Sequence, residues 1–448
     1  MLARIQPKPL YGSVPAIASK SMAHRIIIAA ALANGVTEVR CNTTCADIDA
    51  TVRCLSALGA RIDRTPDGFE VHPMPKSCEH GLLRALAGAT LDCGESGSTL
   101  RFMLPVACAL GADATLVGTG RLGKRPLGPL ADELVAAGCA LESAGGLPLR
   151  CRGRIRAGRF ELPGNVSSQY ISGLLLAAPL LGAASEVVVT GAIESRPYVD
   201  LTVEVLASFG VEVETAAAAT EAGVPVTTFR IPAAGYRTPG SIEVEGDWSN
   251  AAFWLCAGAL STHAVTVRGV TASSSQGDRA VSAALMLFGA RGTRSAAAAT
   301  IRPDRLRGIE LDAHDIPDLV PVLAAVAACA HGTTRITGCA RLRIKESDRL
   351  VTTARELNAL GASVRIEGDD LVIEGRERLD GGRVSSHNDH RIAMMAAVAA
   401  IRCDNPVKIE GAEAVNKSYP DFFDHYRQLG GEVELVEDEG VLHGLRRG

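Results

Sequence analysis

Apolar residues along this chain gather into six blocks, each opened by polar residues. They read SKSMAHRIIIAAALANG from Ser19, GESGSTLRFMLPVACALG from Gly94, SSQYISGLLLAAPLLG from Ser167, DWSNAAFWLCAGAL from Asp247, DIPDLVPVLAAVAACAHG from Asp315 and NDHRIAMMAAVAA from Asn388. Each block predicts a helix of small apolar residues, then a turn and a short strand. A second signature alternates with the first: LSALGARI, LVAAGCALE, LASFGVEVE, LMLFGARGT, LNALGASVR and YRQLGGEVE. Each places a glycine at a helix C-terminus just before a strand. Those glycines, Gly59, Gly138, Gly210, Gly289, Gly361 and Gly430, are 79, 72, 79, 72 and 69 residues apart. Six copies at one period mean a repeated architecture, each copy holding two helices and several strands. Between the third and fourth copies lie the polar, Ala-rich stretch Ala216–Thr228 and the punctuation around Pro232, Gly235, Pro239 and Gly240. The crossover between two pseudo-symmetric halves is expected there. One lobe is expected over 18–236, the other over 1–17 plus 237–448.

A length of 448 residues also favours two domains over one core. With 47% hydrophobic and 21% charged residues the composition is that of an ordinary globular protein. The net charge of −4 supplies no overall pull toward nucleic acid or membrane, so any anion site must come from local clustering. The first residues, MLARIQPKPLYGS, lack the apolar core of a secretory signal, and no apolar run is long enough to cross a bilayer. The cysteines form no CxxC pair, and Cys41 and Cys45 have no histidine cluster beside them. A reduced, cytoplasmic protein without structural disulfides or zinc is expected.

The candidate chemistry lies at the helix starts. Helix-initial N–H groups lack internal partners, and the helix dipole makes that end positive. Gly94, Gly97, Ser96, Ser98 and Thr99 therefore form a plausible anion cradle, though an ordinary N-cap looks the same. Arg25 shares a helix face with Ser21. Gly118–Pro126 packs three glycines and three cations into nine residues, the pattern of an anion-binding loop or of a solvated one. Ser167, Ser168, Gln169 and Ser195 suit a polyhydroxylated ring, or caps and turns. Asp47 and Asp49 are expected to cap the next helix, and Asp315 and Asp318 to open another. Lys345 and Arg349, four apart, are expected on one helix face among Arg343, Glu346 and Asp348. His390 and Arg391 at a helix start oppose the dipole, which implies an anion to hold. Taken together, Lys20, Arg25, Arg101, Arg125, Lys345, Arg349, Arg391 and Lys417 are expected to face one cleft between the halves. So many cations call for ligands carrying several negative charges.

The ordered set SKSMAHR, GESGSTLRF, KRPLGPL, SSQYISGLLLAAPL, SRPYVDLT, IPDLVP, RIKESDRL, NDHRIAM and NKSYPDFF spans nearly the whole chain. It resembles the 5-enolpyruvylshikimate-3-phosphate synthase family of enolpyruvyl transferases. The resemblance implies an α/β fold: a two-domain inside-out α/β barrel of six βαβαββ repeats, three per domain. It implies transfer of the enolpyruvyl group of phosphoenolpyruvate to the 5-hydroxyl of shikimate 3-phosphate, with release of phosphate, on the route to chorismate. By the same resemblance Lys20, Ser21, Arg25, Ser167, Ser168, Gln169, Ser195, Asp318 and Lys345 match the shikimate 3-phosphate site. Lys20, Gly97, Arg125, Gln169, Arg349, Arg391 and Lys417 match the phosphoenolpyruvate site. Asp318 is expected to accept the hydroxyl proton, with Lys20 and Glu346 as candidates for proton exchange at the methylene. No metal or cofactor is implied, nor nucleic acid or membrane, and a monomer is expected. Gly97 leaves the phosphoenolpyruvate pocket without a side chain, which implies sensitivity to glyphosate. The sequence departs from the family pattern at Glu95, often Asn, at Ser98, commonly Thr, and at Arg341, Asn in part of the family.

Two rivals remain at this stage. A UDP-N-acetylglucosamine enolpyruvyl transferase usually has a reactive cysteine in the basic loop, and residues 118–126 contain none. A non-catalytic repeat scaffold would not need cations at every helix start.

Overall fold

In the computed structural model, which describes residues 1–75 and 88–437, six four-stranded sheets follow one plan. In the third repeat Arg159–Pro163 runs parallel to Ser185–Thr190 across the helix Ser168–Ala177. After the helix Arg196–Ser208, the strands Glu214–Ala219 and Pro225–Ile231 form an antiparallel hairpin, and Pro225–Ile231 also pairs with Ser185–Thr190. This is the βαβαββ unit. Ala216–Thr228, expected as a connection, lies within this hairpin and its turn. An alanine run at an exposed sheet edge carries no alternation to mark it as a strand.

The chain forms two compact units, Ala18–Val244 and Met1–Ile17 with Glu245–Gly448. Distant strands complete three of the sheets. Ser241–Glu243 pairs in parallel with Thr37–Arg40, which keeps residues 237–244 with the first unit. In the other unit Gly12–Pro15 pairs with Val265–Arg268, and Leu2–Gln6 lies between Val407–Glu410 and Glu432–Val436.

The apolar blocks explain why the helices lie inside. Trp248–Leu260, Val320–Ala328 and His390–Ala399 are buried at every position and pack on one another. A helix apolar on all faces has no solvent side, so the sheets must surround it. Lys20–Ala31, Gly97–Leu110 and Ser168–Ala177 repeat this in the first unit, each almost wholly buried. There a Cβ on Gly173 would lie 2.3 Å from the Arg101 carbonyl oxygen, so glycine is what lets two of these helices touch backbone to backbone. The six periodic glycines all have positive φ, between 77° and 112°, where glycine alone is unstrained.

Two local expectations fail. The helix Ala46–Ala57 has Cys45 at its N-cap with no side-chain cap bond. Asp47 and Asp49 sit in its first turn but are held by other partners: Asp47 by Lys20, Asp49 by Thr44 and Arg64. Lys345 and Arg349 do not share a helix. Lys345 ends the 3-10 turn Ala340–Ile344, while Arg349 opens the helix Arg349–Ala359 behind its cap Asp348.

Candidate active site

In the first unit the polar helix starts are capped by their own serines. Ser19 caps the helix that Lys20 opens, Ser96 the helix that Gly97 opens, and Ser167 the helix of Ser168 and Gln169. Lys20 donates to the Asp47 carboxylate at 2.9 Å, both side chains being mostly buried. Gln169 is fixed from two sides. Its carbonyl oxygen accepts from Arg101 at 2.6 Å, and its amide donates to Ser98 at 2.9 Å.

The basic loop is anchored at its far end, where the Pro126 carbonyl accepts from the Tyr170 hydroxyl and from Arg101. This lays the Arg125 guanidinium against Gly97, where a Cβ would lie 2.4 Å from its Nη1. Within the loop, Leu122–Lys124 forms a 3-10 turn. Glu95 borders it, its carboxylate 2.7 Å from where a Cβ on Gly120 would stand.

Arg25 is 2% exposed and reaches inward. It donates to Thr202 Oγ1 at 2.7 Å, to Ser172 Oγ at 3.3 Å and to the carbonyls of Ser21 and Tyr198. Its guanidinium lies 4.9 Å from the centre of the Phe102 ring. Burial lowers its pKa to about 10. Those partners are all neutral, so the positive charge stands without a counter-charge from them. Ser195 is buried and held in the left-handed region at φ 53°.

In the second unit three cations meet on one carboxylate. Asp318 accepts from Lys345 at 3.3 Å and Arg349 at 2.8 Å on Oδ1, and from Arg391 at 3.3 Å on Oδ2. Arg391 also donates to the Asp318 carbonyl at 2.9 Å. Asp318 sits in the 3-10 turn Pro317–Leu319 that leads into the next helix. Arg349 is 1% exposed. Its Nε and Nη2 fork onto Asp389 at 2.8 and 3.1 Å, and Nη2 also reaches Glu346 at 2.6 Å. Burial opposes its charge, but Asp389, Glu346 and Asp318 outweigh that and raise its pKa. Lys345 goes the other way: burial brings its pKa down to about 8 despite Asp318. Lys417, at the end of the 3-10 turn Ala412–Lys417, donates to the Asn388 carbonyl at 2.7 Å.

These partners revise one expectation. Cations do gather at the helix starts, but the protein meets many of them with its own carboxylates. Lys20 has Asp47, Arg349 has Asp389 and Glu346, and Asp318 serves three. A buried guanidinium without a counter-charge costs several kcal/mol, a cost that Asp389, Glu346 and Asp318 offset at Arg349 and that Arg25 bears among neutral partners. The same accounting resolves His390 and Arg391. Asp389 caps their helix, accepting from the Arg391 N–H at 3.0 Å, and offsets the unfavourable Arg391 charge.

Asp389, inside the motif NDHR, is a carboxylate at the site whose pairing with Arg349 the local charge pattern does not mark. Asp278 is a second such residue. It is 2% exposed, accepts from Ser249, and has its pKa raised to about 6 by burial and by the Asp318 charge. Nothing in the local pattern around Gln276 and Gly277 marks it.

A family model described as EPSP synthase (3-phosphoshikimate 1-carboxyvinyltransferase) matches residues 5–426. A relative from Clostridium kluyveri named 3-phosphoshikimate 1-carboxyvinyltransferase is 39% identical over 433 residues, 96% of this chain and 97% of its own length. One of the same name from Clostridium acetobutylicum is 40% identical over 432 residues, with 96% and 97% covered. Among solved structures, an EPSP synthase from Acinetobacter baumannii aligns with a TM-score of 0.76 at 27% identity, covering 97% of this chain and all of that one. The enolpyruvyl transferase NikO from Streptomyces tendae has the same fold, with a TM-score of 0.72 at 19% identity over 97% of this chain and 98% of its own.

Proposed function

The chain belongs to the EPSP synthase family, and on that premise we propose how its residues divide the reaction. The enzyme transfers the enolpyruvyl group of phosphoenolpyruvate to the 5-hydroxyl of shikimate 3-phosphate and releases phosphate. The methylene of the enol must gain a proton while the hydroxyl oxygen attacks the adjacent carbon. The tetrahedral adduct then loses a methyl proton and phosphate.

In this proposal Lys20, Ser21, Arg25, Ser167, Ser168, Gln169, Ser195, Asp318 and Lys345 receive shikimate 3-phosphate. Lys20, Gly97, Arg125, Gln169, Arg349, Arg391 and Lys417 receive phosphoenolpyruvate. Asp318 is the base. The observation that carries this reading is the set of three cations on its carboxylate. There the carboxylate oxygens are taken up by those cations. When the anionic groups of phosphoenolpyruvate engage Arg349 and Arg391, those guanidiniums share their charge with the ligand. The grip on Asp318 loosens and its basicity rises as the hydroxyl needs it. The same guanidiniums then face the charge that builds on the departing phosphate. Lys20 is an ammonium with a proton to give, whereas Glu346 must first gain one against Arg349 at 2.6 Å. Lys20 is therefore the readier donor to the methylene. The enzyme acts as a monomer in the cytoplasm.

The test is phosphate release with shikimate 3-phosphate or UDP-N-acetylglucosamine as acceptor, in wild type and in Asp318→Ala. The proposal expects release with the first acceptor only. It expects near-complete loss in the variant, with phosphoenolpyruvate binding retained by calorimetry. Wild-type turnover in Asp318→Ala rejects the base assignment.

A further inference from the structure

Three side chains assigned above to phosphoenolpyruvate depend on one short segment, Ser385–Arg391. Arg391 is part of it, Arg349 is forked onto its Asp389, and Lys417 donates to its Asn388 carbonyl. The segment is strained. His387 and Asn388 have φ of 51° and 57°, two successive residues in the left-handed region that side chains disfavour. Serines on the segment hold its backbone: the His387 N–H donates to Ser385 Oγ and the Asn388 N–H to Ser386 Oγ, each at 3.1 Å.

Beneath the turn lies Glu356, two helical turns beyond Arg349 on the helix Arg349–Ala359. Its side chain is 4% exposed. One carboxylate oxygen accepts from the Ser385 N–H at 2.8 Å, and the other lies 2.7 Å from His387 Nε2. Arg355 lies 3.5 Å away on the solvent side. A buried carboxylate is costly unless its partners are well formed, and both of these hydrogen-bond partners belong to the strained segment. The helix that begins with Arg349 therefore grips the segment twice, through Arg349 on Asp389 and through Glu356 on Ser385 and His387.

We propose that Glu356 is a positioning residue: it holds the left-handed turn at His387 and Asn388 that aims Arg391, Arg349 and Lys417 at phosphoenolpyruvate. The inference rests on the assignment of those three cations to that substrate.

Steady-state phosphate release on the full chain, with each substrate varied in turn, tests it. Glu356→Ala raises KM for phosphoenolpyruvate roughly tenfold, the worth of one charged hydrogen bond, and leaves KM for shikimate 3-phosphate unchanged. Glu356→Gln keeps an acceptor for Ser385 and recovers most of the affinity. Adding Asn388→Gly to Glu356→Ala also recovers part of it, because glycine adopts the turn without being held. A purely structural role would lower the melting temperature without moving that KM, and Asn388→Gly would then recover nothing; either result overturns the proposal. Should Glu356→Ala fail to fold, His387→Phe removes the imidazole contact alone, and an unchanged KM for phosphoenolpyruvate there overturns it equally. Lys417→Met separates the two levels. If it leaves that KM unmoved, the substrate assignment fails. If it raises the KM and the Glu356 variants do not, the positioning role fails.

Discussion

Replacing Gly97 by alanine is the smallest change that reaches the proposed phosphoenolpyruvate pocket. The new methyl would lie 2.4, 2.8 and 3.0 Å from Nη1, Cζ and Nη2 of Arg125. Ordinary contact is about 3.5 Å, so the guanidinium must withdraw by about 1 Å. The atoms struck are the tip of a flexible side chain on a loop. The folding cost is therefore small, below about 1 kcal/mol. The cost to binding is larger. A charged hydrogen bond to the substrate is worth about 1.5–3 kcal/mol, so its loss raises KM for phosphoenolpyruvate by about 10- to 150-fold. Glyphosate resembles that substrate and should inhibit the wild type strongly but the variant weakly. KM for shikimate 3-phosphate should not move, nor should the denaturation midpoint. Phosphate-release kinetics at saturating shikimate 3-phosphate, with and without glyphosate, read all of this. If KM and inhibition match wild type in Gly97→Ala, Arg125 does not serve the pocket as proposed. A wild type that glyphosate leaves uninhibited would also refute the reasoning.

Further outcomes follow from the charges. Lys345 has a pKa lowered to about 8 by burial, and a dianionic ligand favours its protonated form. KM for shikimate 3-phosphate should therefore rise as pH climbs through about 8 while kcat holds, and Lys345→Arg should push that limb upward out of range. The same lowered pKa means the unfolded chain binds the extra proton between about 8 and 10.5. Lys345 thus adds stability as pH rises across that window, and a Lys345→Met variant should lose that part of the slope in denaturation midpoints. Asp389→Asn leaves the Arg349 guanidinium short of its fork and should destabilise the protein by about 3–5 kcal/mol, read as a lower denaturant midpoint. In heavy water, Lys20→Met should stop deuterium entering the methylene of phosphoenolpyruvate, whereas Glu346→Gln should only slow it; the reverse result exchanges their roles.

The repeat was legible because helix stops have a fixed requirement. Six glycines at one spacing announced six left-handed C-termini, and all six have positive φ. The apolar blocks likewise announced helices, and those of the second unit are buried at every position. The hairpin at Glu214–Ile231 was not legible, since alanines at an exposed edge carry no alternation. Nor were the partners of the cations. Lys345 and Arg349 look like a helical pair at four-residue spacing, yet they reach Asp318 from a turn and from a helix start. Asp389 and Glu356 showed nothing in sequence beyond a cap and a helix-surface carboxylate. Their roles come from a residue 40 positions away for the Asp389 pairing with Arg349, and from residues 29 and 31 away for the Glu356 contacts. One-dimensional spacing does not encode such pairings.

The most direct test of the central claim is a crystal structure with shikimate 3-phosphate and an unreactive analogue of phosphoenolpyruvate bound. The 5-hydroxyl oxygen should lie within hydrogen-bond distance of the Asp318 carboxylate, and Arg349 or Arg391 should stand farther from that carboxylate than 2.8 and 3.3 Å. A 5-hydroxyl turned to another base, with all three cations still closed on Asp318, would contradict it.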